Sequence, residues 1–119
     1  MSVRTERVAG EIKQKLAELF QSEFTELYTG LLTVTICRVS PDLHSCKVYI
    51  SLLGNAKPKE QIVKEIQAEA PHIRSALAGE LRMRHTPELF FYLDDTQDEV
   101  ERINRLFKQL NDNGSASSQ

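Results

Sequence analysis

The stretch "IVKEIQAEAPHIRSALAGEL" (residues 62–81) combines a continuous apolar stripe with a proline near its centre. The apolar residues recur every three or four positions, at Ile62, Ile66, Ala70, Ile73, Leu77 and Leu81. This spacing predicts one buried helical face. Pro71, however, lacks an amide donor, clashes with the carbonyl of Gln67 and drives Ala70 away from helical backbone angles. A stripe that stays in phase across a proline therefore predicts two consecutive helices separated by a kink.

Two strands precede this helical region. "LLTVTICRV" (31–39) and "CKVYISLL" (46–53) alternate apolar with polar residues and are rich in β-branched side chains. "SPDLHS" (40–45) separates them and contains Pro41 and Asp42, which are typical turn residues. The two runs predict an antiparallel hairpin.

The apolar alternation also predicts the register of this hairpin. Ile36 should lie opposite Val48 and Val34 opposite Ile50, because a one-residue slip would turn a whole apolar set to water. The other face is then polar, with Thr33, Thr35, Cys37, Lys47, Tyr49 and Ser51. We therefore expect helices on one side of the sheet only.

The ends of the chain complete the predicted order of elements. Helical spacing predicts a first helix from about residue 4 to 21, and alternation predicts a third strand from Leu89 to Leu93. Thr96 and Glu99 form a capping-box pattern before a last helix that ends near Leu110. We expect a single α+β domain over residues 1–110 and a disordered tail over 111–119.

Composition limits the class of protein. The chain has 119 residues, 40% hydrophobic and 27% charged, as expected for a single globular domain. Its net charge of -2 argues against a uniformly basic nucleic-acid binder but leaves room for a local basic surface. No apolar run has the length of a membrane span or the form of a signal peptide, so we expect a cytoplasmic protein.

The chain carries no pattern typical of catalysis or of metal binding. His44, His72 and His85 lie in three separate segments, and five scattered glycines form no phosphate loop. The predicted register places Cys37 and Cys46 on opposite faces of the sheet, which predicts two separate reduced thiols. We expect no enzyme activity, no cofactor and no metal site.

The distribution of basic residues is more informative than their number. Arg4 and Arg7 share a face of the first helix, because they are three positions apart. Between Pro71 and Pro87 there are three arginines and one acidic residue. These groups are either ordinary solvated charges or one edge of a site for an anion. Tyr49 and Tyr92 are either a stacking surface for bases or a cover for the sheet edge.

Four segments resemble the ribosome-binding factor A family: "RTERV" (4–8), "VSPDL" (39–43), "KVYISLLG" (47–54) and "IRSALAGELRMRHTPELFFYLDD" (73–95). The likeness runs in order over residues 3–108. It implies a type II KH-like fold, α-β-β-α-kink-α-β with a C-terminal helix and a three-stranded sheet. Where the family has an Ala-x-Gly kink, this chain has Glu69, Ala70 and Pro71, so a proline replaces the glycine.

The resemblance also implies a function. Members of the family are bacterial assembly factors that bind free or immature 30S subunits and 16S rRNA, support late rRNA processing, and are associated with growth at low temperature. It implies a monomer without cofactors, with other assembly factors or a GTPase as further partners. The resemblance and the local charge together predict these RNA-binding residues: Arg4, Arg7, Lys47, Arg74, Arg82 and Arg84. The alternative is a KH-like protein–protein adaptor that does not contact RNA.

Overall fold

A computed structural model describes residues 3–81 and 83–94 of the chain. The elements are α1 (Val3–Ser22), a short 3-10 turn (Thr25–Leu27), β1 (Leu31–Val39), β2 (Ser45–Leu53), α2 (Lys59–Ala68), α3 (Ala70–Glu80) and β3 (Glu88–Leu93). The sheet order is β1-β2-β3, with β1 antiparallel to β2 and β3 parallel to β2. This confirms the predicted α+β order up to β3. The predicted last helix and the tail lie outside the described residues.

The core lies between one face of the sheet and the three helices. α1 buries Ile12, Leu16 and Phe20 completely, and β2 contributes the equally buried Val48 and Ile50. Each such side chain stabilises the fold by roughly 1.5–3 kcal/mol relative to an exposed position. Among the described residues, no helix is both long enough and apolar enough to cross a membrane.

The predicted kink between α2 and α3 is confirmed, but it lies at Glu69, and Ala70, which was expected to leave helical angles, is already the first residue of α3. α2 ends at Ala68, and Glu69 leaves the helical path with φ -91° and ψ 3° before α3 begins. Pro71 lies in the first turn of α3, where an amide has no intrahelical partner and proline is well tolerated. Ile66 and Ile73, on either side of the kink, are both fully buried. The break therefore changes the path of the chain without moving its apolar face out of the core.

The register of the hairpin is partly different from the prediction. Val34 pairs with Ile50 as expected, but Ile36 then pairs with Tyr49 instead of Val48. A β-bulge at Thr35 inserts one residue into β1, which reverses the faces of the residues that follow. The predicted Ile36–Val48 pair is wrong, and Ile36 is 39% exposed on the outer face.

The same bulge corrects the prediction for the two cysteines. It turns Cys37 to the inner face, where its thiol neighbours that of Cys46. The interaction with the Cys46 thiol and burial raise the pKa of the Cys37 thiol, while the Cys37 thiol lowers the pKa of the Cys46 thiol. Both cysteines are free, but they are neighbours instead of residues on opposite faces.

The free edge of β3 is held by a side chain from the end of α2. The amide nitrogen of Gln67 donates to the carbonyl of Leu89 at 3.2 Å, and its amide oxygen accepts the N–H of Phe91 at 2.7 Å. Gln67 thus satisfies two backbone groups that an edge strand otherwise leaves unpaired. This contact fixes the kink relative to the sheet.

Replacing Gln67 with leucine should destabilise the fold. Two backbone groups of a partly buried strand lose their partner, and each unsatisfied group costs about 1–3 kcal/mol. Urea unfolding of Gln67→Leu measures the loss. The matched control is Gln61→Leu, because Gln61 is exposed and its side-chain amide donates to the side chain of Glu65 instead of to the sheet. Equal losses for both variants would contradict the role of Gln67.

Replacing Gly30 with alanine should also destabilise the protein. Gly30 has a φ of 71°, and a Cβ there would overlap the backbone of Leu53 and Gly54. The expected loss is about 2 kcal/mol or more, since the left-handed conformation alone costs ~1–2 kcal/mol. Gly10→Ala on the exposed side of α1 should stabilise the protein by ~0.5–1 kcal/mol, because its added methyl meets no atom. Thermal unfolding that shifted both variants in the same direction would refute this difference.

Candidate nucleic-acid interface

A cleft of about 420 Å³ lies where α1, the β1–β2 turn and the α3–β3 connection meet. We call it the arginine–histidine cleft. Three residues from each segment line it: Arg4, Val8 and Glu11; Asp42, Leu43 and His44; Met83, Arg84 and His85. Its lining combines two arginines and two histidines with two acidic groups and three apolar side chains. Such a surface can bind a phosphate group of a ligand next to an apolar group of the same ligand.

The β1–β2 turn forms one wall through a network of local hydrogen bonds. The carboxylate of Asp42 accepts the Ser40 hydroxyl at 2.6 Å and the His44 N–H at 3.0 Å. The hydrogen bond from Ser40, followed by that from the His44 amide, lowers the pKa of Asp42. The ionised carboxylate therefore stabilises the turn. Leu43 adopts a left-handed φ of 64°, unusual for leucine, and packs against the core while it lines the cleft.

The α3–β3 connection forms the opposite wall and is tied to both neighbours. The Arg74 guanidinium donates two hydrogen bonds to the Thr86 carbonyl, at 2.9 and 2.7 Å. The Glu88 N–H donates to the His44 carbonyl at 2.9 Å, which starts the pairing of β3 with β2. The rings of His44 and His85 consequently lie edge to face, with 6.2 Å between their centroids.

The structure brings together only some of the predicted RNA-binding residues. Arg4 and Arg84 line the same cleft, although they are far apart in sequence. Arg7 is exposed on α1 but does not line the cleft. Arg74 is bound to Thr86, and Lys47 is exposed on the sheet face away from the helices. Arg82 lies outside the described residues.

The kink residues border a second cavity, of about 280 Å³, which we call the kink groove. It is lined by Gln67, Ala68, Ala70, Pro71, Arg74, Glu88 and Leu89. Glu69 faces His72 instead, with its carboxylate 3.6 Å from Nδ1. One arginine lines the kink groove and its guanidinium is hydrogen-bonded to Thr86, whereas two arginines line the cleft, so the kink groove is less suited to phosphate than the cleft.

The sequence alone did not predict that His44 and His85 line the cleft. The relevant signal is the parallel pairing of β2 with β3, in which Ser45 lies opposite Glu88. Parallel strands begin at the same edge of a sheet, so residues that precede both strands meet there. The sequence does not show that the third strand pairs with the second in this direction. Across residues 3–81 and 83–94, no three histidine, cysteine or acidic side chains converge into a metal site.

Comparison with known proteins agrees with this architecture. A model of the family described as ribosome-binding factor A matches residues 4–107. The chain belongs to the ribosome-binding factor A family. It is 37% identical to the ribosome-binding factor A of Chlorobium phaeobacteroides, covering 92% of this chain and 96% of the relative. It is 36% identical to that of Chloroherpeton thalassium, covering 97% and 93%.

A crystal structure and a homology model fitted into a cryo-electron microscopy map share the fold. The crystal structure of ribosome-binding factor A from Thermus thermophilus superposes with a TM-score of 0.64 at 27% identity, covering 75% of this chain and 94% of the other. A homology model of the Thermus thermophilus protein, fitted into a cryo-electron microscopy map of its complex with the 30S subunit, gives 0.58 at 28% identity. It covers 72% of this chain and 90% of the other. These neighbours support the type II KH-like fold.

Arg74 should contribute to the stability of the connection irrespective of any ligand. Arg74→Lys keeps the charge but cannot reproduce the two hydrogen bonds of the guanidinium to Thr86. We expect faster amide exchange across residues 83–87 and a loss below about 1 kcal/mol in unfolding free energy, because the site is exposed. Lys64→Arg, on the exposed side of α2, is the control. If amide exchange is unchanged in Arg74→Lys, the hydrogen bonds from Arg74 to the Thr86 carbonyl do not stabilise the connection.

Proposed function

We propose that the chain is an assembly factor of the small ribosomal subunit. It binds free or immature 30S particles in the cytoplasm, contacts 16S rRNA and supports the late processing and maturation of that rRNA. The observation that carries the proposal is the meeting of Arg4 and Arg84 in one cleft of a chain from this family. The fit of a structural neighbour into a 30S complex supports the choice of partner.

The mechanism is selective binding without covalent chemistry. Guanidinium groups in the arginine–histidine cleft bind rRNA phosphates, which positions the protein by shape and charge without reading a base sequence. A protein that binds one rRNA conformation better than another shifts the equilibrium by the difference in affinity. The effect should be greatest at low temperature, because wrongly paired RNA segments separate more slowly there.

The partners follow from the same mechanism. The protein acts as a monomer and leaves when the rRNA around it reaches a conformation to which it binds less tightly. A GTPase or another assembly factor that stabilises that later conformation would promote its release. Arg7, Arg82 and Lys47 belong to the proposed set of RNA contacts with Arg4 and Arg84, whereas Arg74 supports the wall of the cleft through its hydrogen bonds to Thr86.

The second candidate function is a protein–protein adaptor without direct RNA contact. It is favoured by the net charge of -2 and by the carboxylates of Glu11 and Asp42, which line the cleft together with the arginines. An adaptor would bind the particle through ribosomal proteins. Its affinity would then depend little on the two arginines and only weakly on salt.

Removing both cleft arginines should separate these functions. We expect Arg4→Gln/Arg84→Gln to co-sediment poorly with 30S particles from cells that lack the protein. The slope of log affinity against log salt should decrease in magnitude by about 1.4–1.8, since each of the two phosphate contacts contributes roughly 0.7–0.9. The matched control removes two positive charges elsewhere, at Lys15 and Lys64.

The result of this titration discriminates clearly. Wild-type affinity and slope in the cleft variant, with no protection of 16S rRNA in footprinting, would favour the adaptor and overturn the RNA-binding function. Equal losses in the cleft variant and in the lysine control would reflect overall charge instead of the cleft.

A further inference from the structure

The sheet face away from the helices carries a cluster of aromatic rings that do not line the cleft. We call it the aromatic face, and it consists of Arg38, Lys47, Tyr49, Phe90 and Tyr92. Phe90 is 36% exposed and Tyr92 is 42% exposed, although both have large apolar rings. No described helix packs on this face, because the core lies entirely on the other side of the sheet. Packing within the described residues therefore does not explain why aromatic side chains occupy this face.

Strand register arranges these side chains in two adjacent rows. In one row Ile36 lies opposite Tyr49, and Tyr49 lies opposite Tyr92. In the next row Arg38 lies opposite Lys47, and Lys47 lies opposite Phe90. The rows are two residues apart along each strand, or about 6.6 Å. An aromatic row thus runs beside a basic row that also ends in a ring.

The two tyrosines form a continuous platform. Their ring centroids are 5.5 Å apart and the ring planes are tilted by only 30°. Tyr28 differs, since it packs against the core and its hydroxyl donates to the carbonyl of Phe20. Tyr49 is half-buried and Tyr92 is exposed, so the pair presents ring surface to a planar group placed over the sheet.

The charges on this face suit an anionic partner. Arg38 and Lys47 are both exposed beside the rings, in a chain whose total charge is negative. Glu88 lies one row beyond, opposite Ser45. The Asp94 carboxylate, at the other end of β3, lies 2.5 Å from the Thr35 hydroxyl. The two basic groups thus share a row with Phe90 and lie beside the tyrosine row, whereas one acidic group lies one row beyond the rings at each end of β3.

We propose that the aromatic face binds single-stranded RNA, with unpaired bases stacked on Tyr49, Tyr92 and Phe90 and phosphates held by Arg38 and Lys47. Aromatic rings beside basic groups are the usual means of binding single strands, because every base offers a π-face and every link offers a phosphate. The proposal rests on the proposed function for the choice of RNA. It adds a second RNA contact, on the sheet face away from the core. It also names the kind of RNA that binds there, which is a single strand.

A labelled uridine octamer and the full chain test the proposal directly. We expect the octamer to bind the wild type in fluorescence anisotropy and to shift the NMR signals of the Tyr49, Tyr92 and Phe90 rings. A blunt RNA duplex of equal length should leave those ring signals in place, because its bases are already stacked. Ring signals unaffected by the octamer would overturn the proposal.

Matched variants isolate the stacking. Tyr92→Leu keeps an apolar side chain but loses the ring, and should weaken octamer binding by about 5- to 100-fold, the effect of losing one stacked base. Tyr92→Phe should bind as the wild type, and it keeps the test valid if the leucine variant unfolds. Leu53→Ala, on the same face and far from the rings, is the control. Equal binding by Tyr92→Leu and the wild type would contradict the proposal.

The charges and the competing occupants give further outcomes. Lys47→Gln should reduce the salt dependence of octamer binding by about one phosphate contact. A dimer that Tyr92→Leu dissociates, with no effect on octamer binding, would identify a second copy as the occupant and overturn the proposal. So would NMR contacts between the rings and residues 95–119 that persist when the octamer is added.

The cleft variant distinguishes failure of this proposal from failure of the proposed function. Arg4→Gln/Arg84→Gln should still bind the octamer while it loses 30S association. If Tyr92→Leu binds the octamer normally but the cleft variant loses 30S association, only the aromatic face is wrong. If the cleft variant keeps full 30S association and no rRNA is protected, the RNA-binding function itself is wrong.

Discussion

Both candidate RNA surfaces depend on the parallel pairing of β3 with β2. Parallel strands require a crossover, and here α2, the kink and α3 provide it. The pairing begins with the hydrogen bond from Glu88 to His44 and ends with that from Asp94 to Ile50, at 2.7 Å. Gln67 holds the other edge of β3. The cleft forms where the two strands begin, and the two tyrosines meet where they run side by side.

The proposed RNA binding by an acidic chain depends on local charge placement. The cleft brings Arg4 and Arg84 together, and the carboxylate of Asp42, which also lines it, accepts hydrogen bonds from its own turn. Arg74 shows the opposite case, because its guanidinium is hydrogen-bonded to the Thr86 carbonyl and supports the wall of the cleft. The position of a positive side chain near a site is therefore not sufficient evidence that it binds a ligand. The hydrogen bonds that the side chain already makes within the protein must also be known.

The two surfaces suit different RNA elements. The cleft is narrow and combines guanidinium groups with imidazole rings, which suits the phosphates of a folded backbone. The aromatic face is flat and open, which suits bases that are not paired. A protein with both surfaces can hold a structured segment and a single strand at the same time. Immature rRNA presents both kinds of element while its last helices are still forming.

The sequence alone was sufficient for the order of elements up to β3, for the kink and for the helical layer on one side of the sheet. Each of these depends on local rules: apolar periodicity, the missing amide of Pro71 and the polarity of alternate strand positions. The family resemblance was also visible, because its motifs lie in order along nearly the whole chain. Arg4 and Arg84 were both predicted as RNA contacts, although nothing local showed that they share a cleft.

Tertiary structure decided the rest. A bulge at Thr35 adds a residue without a break in the β-branched pattern, so the alternation gave the wrong faces for Ile36 and Cys37. The direction in which β3 pairs with β2 is a long-range choice, and it alone placed His44 beside His85 and Tyr49 beside Tyr92. The hydrogen bonds that tie Arg74 to Thr86 depend on that same choice. Periodicity records which side of an element is buried, whereas these contacts depend on which elements become neighbours in space.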